Sequence, residues 1–183
     1  MAEEKYYRMK VAGLERDLPI CAVNEHLDIA GFIIFGDVEL TKACATELIK
    51  KIPEHDYMIT AEAKGIPLIY EMARQMDEKK HFIARKAEKV YMRDVVSVEV
   101  QSITTKAVQH LYLDGFDAEM MKGKRILLVD DVISTGESLH ALETLVEKAG
   151  GIICGRACIL AEGDAAQRKD IIYLEELPLF PHA

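Results

Sequence analysis

The stretch Arg125-Ile126-Leu127-Leu128-Val129-Asp130-Asp131-Val132-Ile133-Ser134-Thr135-Gly136-Glu137-Ser138 decides how this chain is read. Its short apolar run, 126–129, predicts a strand buried on both faces, and Asp130 and Asp131 follow where that strand is expected to end. A hydroxyl-rich turn around Gly136 comes next, then an apolar-periodic helix over 136–149, stopped by Gly150-Gly151. In open α/β sheets, ligands gather at the carboxyl ends of the strands. A helix that begins there offers unpaired N–H groups and its positive dipole end, which suit a phosphate. Ser134, Thr135 and Ser138 add hydroxyl donors, and Gly136 lets the backbone approach closely. Asp130 and Asp131 repel phosphate, but they suit sugar hydroxyls or a Mg2+ carried by a polyphosphate. A phosphorylated sugar fits this combination. The residues alone leave a plainer alternative open, in which Asp131 helps cap a helix and Asp130 is solvated. A P-loop is excluded: Gly123-Lys124 runs into Arg125 and lacks the earlier glycine of G-x-x-x-x-G-K-[ST].

Working outward, strands alternate with helices. Residues 6–12 and 19–23 predict a hairpin around Gly13 and Arg16-Asp17, and Asp37 is placed to cap a helix carrying Leu40, Ala43, Cys44, Leu48 and Ile52. A strand at 57–61 ends in the loop 62–65, and Pro67 opens a helix reaching Met76. A strand at 81–84 ends in the basic segment 85–89. Residues 90–106 are β-branched and polar, 110–113 predict a strand followed by a turn at Gly115, and 152–160 and 170–174 predict the last strands. This alternation implies an α/β fold with a mostly parallel central sheet flanked by helices. One domain is expected over 1–183, with a core at 37–159 and a small hood from 1–36 and 160–183. Parallel strands would gather loops 62–65, 85–89 and 130–138 at one sheet edge.

Composition narrows the function classes. With 183 residues the chain is long enough to bury a core without staples. Its 23 basic against 31 acidic residues give a net charge of −8, which argues against nucleic acid or an anionic membrane as partner. A polyanion would need a local basic cluster, for which Lys64, Arg85, Lys86 and Lys89 are candidates. Cys21, Cys44, Cys154 and Cys158 have no zinc-like spacing, and Cys154 and Cys158 read as buried thiols. No apolar run reaches membrane-spanning length and the first residues lack a signal-peptide core, so a reducing cytoplasm is the expected compartment.

Residues 126–138 resemble the 5-phosphoribosyl-1-diphosphate (PRPP) signature of the type I phosphoribosyltransferases: four apolar residues, two acids, then a small residue, Thr-Gly and a further hydroxyl residue. Ala61-Glu62-Ala63-Lys64-Gly65 resembles the Glu-Ala-Arg-Gly diphosphate loop of the adenine branch, with Lys64 in place of arginine. Arg85-Lys86-Ala87-Glu88-Lys89 resembles that branch's Arg-Lys-x-x-Lys segment, although Glu88 replaces a common glycine and Val90-Tyr91 replaces Leu-Pro. Ser134 stands where the hypoxanthine-guanine branch has an aspartate. The resemblance implies transfer of phosphoribosyl from PRPP to a nucleobase, a purine such as adenine, yielding a nucleotide monophosphate and pyrophosphate in purine salvage. It implies a Mg2+ bound mainly through PRPP, and a homodimer. By the same resemblance, Asp130 and Asp131 are the catalytic pair at the ribose, and Ser134, Thr135, Gly136, Glu137 and Ser138 hold the 5′-phosphate. Ala63, Lys64, Arg85, Lys86 and Lys89 meet the diphosphate. Asn24, Phe32, Phe35 and Glu162 are hood candidates for the base. A different class stays open, a non-catalytic PRPP- or nucleotide-sensing regulatory protein. No DNA-binding segment is expected within 1–56, which is not basic.

Overall fold

The computed structural model describes residues 5–101 and 108–182. In chain order the strands and helices are β1 (Tyr6–Val11), β2 (Leu14–Asn24), β3 (Leu27–Ala30), α1 (Val38–Ile49), β4 (Tyr57–Ala61), α2 (Ile66–Gln75), β5 (Phe82–Ala84), β6 (Val96–Gln101), β7 (Val108–Leu113), α3 (Gly115–Met121), β8 (Arg125–Ile133), α4 (Glu137–Lys148), β9 (Ile152–Glu162), a 3-10 turn (Gly163–Gln167), β10 (Ile172–Leu177) and β11 (Leu179–Pro181). Among the described residues, β10, β9, β8, β4 and β5 form, in that order, one parallel five-stranded sheet. This is the α/β architecture the alternation predicts. A separate antiparallel sheet, β1-β2-β3-β11, makes the hood, and β6 pairs with β7 as an antiparallel ladder.

The strand order places the cleft. From β4 the chain moves outward to β5, and from β8 it moves the opposite way to β9 and β10. The two directions part between β4 and β8. At such a switch point the neighbouring loops diverge and leave a crevice at the carboxyl ends of the strands.

Both faces of the sheet are covered, which explains the unbroken apolar run in β8. On one side Leu40, Cys44, Leu48, Leu68, Ile69 and Met72 of α1 and α2 pack on Met58, Leu127 and Val129. On the other, Leu139, Leu142 and Leu145, one stripe of α4 at helical spacing, pack with Met121 on Ile59, Ile126 and Leu128. Asp37 caps α1 by accepting the Leu40 N–H at 3.0 Å, and Arg16 donates to its two oxygens at 2.7 and 3.1 Å. The Arg16 guanidinium holds the Asp37 carboxyl below the usual carboxylate range. One contact thus ties the hood to the core.

Four local expectations differ from what is observed. First, β8 runs on through Ile133, so the two carboxylates lie within the strand; β9 continues alongside, pairing Asp130 with Cys158 and Ile133 with Ala161. Second, the turn expected at Gly115 is the helix α3, capped by the Asp114 side chain accepting from Phe116 N–H, with Ala118 and Met121 buried. Third, the first hairpin turns at Ala12-Gly13, both with positive φ (49° and 81°). Arg16 and Asp17 belong to β2, where Asp17 pairs across the ladder with Arg8. Fourth, the C-terminal segment is divided: β10 joins the central sheet and β11 the hood. The cysteines are free, with Cys44 and Cys158 buried, Cys154 half-buried and Cys21 exposed. Of the β-branched stretch read at 90–106, residues 102–106 lie outside the described residues.

Replacing Asp37 by alanine removes both the cap and the Arg16 contact. The expected loss of stability is about 1–2 kcal/mol in urea unfolding. Asp37→Asn keeps the cap acceptor and should recover roughly half of it.

Candidate active site

The switch-point crevice is a cavity of about 230 Å3. Loop 62–65 after β4 supplies Glu62, Ala63 and Lys64 to its wall, the segment after β5 supplies Lys86, and β8 with its turn supplies Asp130, Asp131, Ser134, Thr135, Gly136 and Ser138. All three loops predicted to converge therefore contribute to it.

The turn is held by backbone conformation. Gly136 has φ of 81°, a left-handed value that side-chain-bearing residues rarely adopt, and α4 begins directly after it. No side chain caps this helix. Its first-turn N–H groups lack intrahelical acceptors and sit at the cavity wall, a seat for an anion. Glu137 is not among the lining residues, although its neighbours Gly136 and Ser138 are.

The carboxylates are electrostatically unequal. Asp131 is 1% exposed, and the Lys64 ammonium lies 3.0 Å from its Oδ2. That approach is an ion pair without hydrogen-bond alignment, so Oδ2 has a counter-charge but no aligned donor. Asp130 turns back on its own chain, with Oδ1 accepting the Asp131 N–H at 2.9 Å. Burial, and then the neighbouring charge of Asp131, push the Asp130 carboxyl up from 3.8 to about 7.

Loop 62–65 can stand this close because Gly65 has no side chain. A Cβ there would fall 2.1 Å from Thr60 Oγ1 and 3.4 Å from the Asp130 Cα. Glu62 clamps the basic segment to the loop, its Oε2 accepting Arg85 Nε and the Lys86 backbone N–H, each at 3.1 Å. These donors, led by the Lys86 N–H, hold the Glu62 carboxyl below its usual range. Arg85 also donates to the Tyr91 hydroxyl at 3.2 Å. Arg85 is thus engaged in structure beside the cavity, while Lys86 borders it; Lys89 does not line the wall.

The hood candidates stand elsewhere. Phe32 is 5% exposed within the core, and Asn24 closes the β2–β3 turn by accepting the His26 N–H at 2.8 Å. Phe35 is exposed, and Glu162 is buried at the end of β9; none of the four lines the cavity. Gln109 and Leu111 of β7 do line it. The sequence reading places a strand at 110–113 but not the β6–β7 ladder that brings both residues to the crevice. The alternation of Val96, Val98 and Val100, and then of Leu111 and Leu113, was the available signal.

Among the described residues, no group of three or more His, Cys, Asp or Glu side chains could hold a metal by itself. The donor chemistry suits a hard cation that brings most of its oxygens from a bound polyphosphate, with Asp131 Oδ2 as a buried acceptor free of aligned donors.

Fold and cleft define an α/β protein with an anion seat beside a carboxylate pair at the sheet's switch point. Residues 37–177 match the phosphoribosyl transferase domain family, and the chain belongs to that family. A hypoxanthine/guanine phosphoribosyltransferase of Methanotorris igneus is 34% identical over 128 residues, covering 69% of this chain and 66% of that protein, just under two thirds of its length. The protein of the same description from Methanococcus vannielii is 34% identical over 138 residues, covering 75% and 69%. Among solved structures, the adenine phosphoribosyltransferase of Thermoanaerobacter pseudethanolicus superposes with a TM-score of 0.64 at 22% identity, covering 78% of this chain and 83% of that one. That likeness shows the fold.

The raised Asp130 carboxyl has a thermodynamic signature. Its folded-state value lies above the unfolded one, so the protein loses stability as pH rises from the ordinary carboxylate range to about 7. Asp130→Asn should raise the melting temperature at about pH 8, and the gain should shrink toward about pH 5. Thermal melts of both proteins across that range check it; a pH-independent difference would contradict the assignment.

Proposed function

We propose that this chain transfers the 5-phosphoribosyl group from PRPP to a purine base, releasing pyrophosphate and a nucleotide monophosphate. One observation carries this function: the uncapped turn Ser134–Ser138 stands in one cavity with Asp130, Asp131, Lys64 and Lys86. In this scheme the turn N–H groups and hydroxyls hold the 5′-phosphate. Asp130 and Asp131 accept hydrogen bonds from the ribose hydroxyls, and their charge favours the cationic sugar that develops as the C1–O bond breaks. Lys64 leaves Asp131 for the diphosphate, which Lys86 and the Ala63 backbone also meet. Arg85 and Lys89 support this segment from outside the wall, and Glu62 keeps it in register. When bound, Mg2+ supplies charge neutralisation of the leaving diphosphate. The protein's own contribution is positioning and electrostatics.

Two purine classes compete as acceptor. Ser134, in place of the aspartate of the hypoxanthine-guanine branch, supports adenine. The names of the sequence relatives at 34% identity support hypoxanthine and guanine, and we place these 6-oxopurines first because the adenine enzymes are alike in fold alone. The homodimer remains part of the proposal; exposed Val38 and Tyr70 line an apolar groove that a second copy would cover. So does the cytoplasm; no helix among the described residues is long and apolar enough to cross a membrane.

Pyrophosphate release from PRPP and Mg2+ should occur with one purine in a panel of adenine, hypoxanthine, guanine, xanthine, uracil and orotate. PRPP binding without turnover on any base would favour the sensing alternative. Asp131→Asn should keep a native circular dichroism spectrum and lose about 100-fold or more in kcat/KM. Unchanged turnover would remove that carboxylate from the mechanism.

A further inference from the structure

The anion seat lacks a positive side chain of its own among the residues that line it. Lys64 and Lys86 stand on the opposing loops, while the turn itself carries hydroxyls, backbone N–H groups and Glu137, beside two aspartates. A phosphate dianion there would stand beside two acidic side chains, with only a helix terminus and hydroxyls from the turn itself in favour.

Arg168 changes that balance. It follows the 3-10 turn after β9, far from the turn in sequence, yet its Nη1 lies 3.0 Å from where a Cβ on Gly136 would stand. Among the described residues, the glycine's chain neighbours aside, no other atom comes within 4 Å of that point. The guanidinium is aimed by Asp170: Nε donates to Oδ1 at 3.0 Å and Nη2 to Oδ2 at 2.8 Å. This two-point contact uses one edge of the fork and leaves Nη1, the atom nearest the turn, without a partner among the described residues. Asp170 is itself 3.6 Å from Arg156 Nε, and Arg156 pairs with Glu143 of α4, so the arrangement is braced from behind. The Arg168 side chain is 36% exposed and held in place; it stands beside Gly136 without itself lining the cavity wall.

We propose that Arg168 is a further phosphate-binding residue of this site, its Nη1 donating to the phosphate monoester seated in the turn while Asp170 positions it. The chemistry recognised is a sugar-phosphate dianion, the same group on substrate and nucleotide product. Glycine at 136 then has two reasons: its positive φ, and the space a side chain would take from the guanidinium. The inference rests on the proposed function, which assigns the phosphate to this turn.

Ribose 5-phosphate and pyrophosphate separate the two seats, and their affinities can be measured by calorimetry without turnover. Arg168→Gln should weaken ribose 5-phosphate by about 10- to 100-fold, the range for a hydrogen bond to a charged group, and leave pyrophosphate within about twofold. Arg168→Lys should recover part of the loss, and Asp170→Asn, which frees the arginine without removing it, should show a smaller one. If the unaltered protein binds ribose 5-phosphate and Arg168→Gln and Arg168→Lys bind it equally well, the inference is overturned and the function stands. Equal loss of both ligands in Arg168→Gln also overturns it, since the effect would then be structural. Failure of the unaltered protein to bind ribose 5-phosphate would overturn the function itself, and the inference with it.

Discussion

Asp130 and Asp131 are adjacent in a strand whose preceding four residues are buried on both faces, and their mutual repulsion is poorly screened there. The surroundings answer each charge differently. Lys64 is brought across the crevice to Asp131, while Asp130 takes a neighbouring backbone N–H and retains a proton to near neutrality. Much else follows from this pair. β4 has to end at Ala61 so that its loop can reach over, Gly65 has to lack a side chain so that the loop clears Thr60, and β8 has to keep a partner strand beyond the carboxylates. The cleft is thus a set of accommodations to two charges that a purely structural strand would avoid.

An acidic protein proposed to seat anions poses a question of sign, and the contacts answer it. Three cations near the crevice are aimed by carboxylates: Lys64 by Asp131, Arg85 by Glu62, and Arg168 by Asp170. Part of the net charge of −8 therefore orients the positive groups instead of opposing the ligand. An arginine held on one edge loses less freedom when its other edge binds, so such pairs favour preorganisation more than stability, which exposed ion pairs change little.

Much of the fold was legible because parallel sheets write themselves as apolar runs separated by amphipathic helices, and β4, β8, α1 and α4 all carry that pattern. The strand–turn–helix element that borders the crevice was equally legible, since a strand, two acids, a turn and a helix are consecutive in sequence. What was not legible depends on partners distant in sequence. The continuation of β8 past Asp130 is decided by β9, and the helix at Gly115 by an Asp114 cap that a turn would also use. Gln109 reaches the crevice through a ladder with β6, and Arg168 through a segment whose own pattern says nothing of the turn it approaches. Phe32, a candidate base contact by sequence, is apolar enough for either role, and its burial follows from packing that the sequence does not display.

The hood brings a different consequence. β3 is completed on one side by β2, its near neighbour in sequence, and on the other by β11, where Leu179 faces Ile29 and Phe180 faces Asp28. His182 fastens this closure, its ring contacting Asp28 at 3.0 Å and its N–H meeting the His26 carbonyl at 2.9 Å. During synthesis on the ribosome, β1 to β3 emerge early and wait for β11 until the whole central sheet has left the tunnel. For that interval β3 is an open edge with unpaired backbone groups, the kind of strand that nascent chains use to pair with one another.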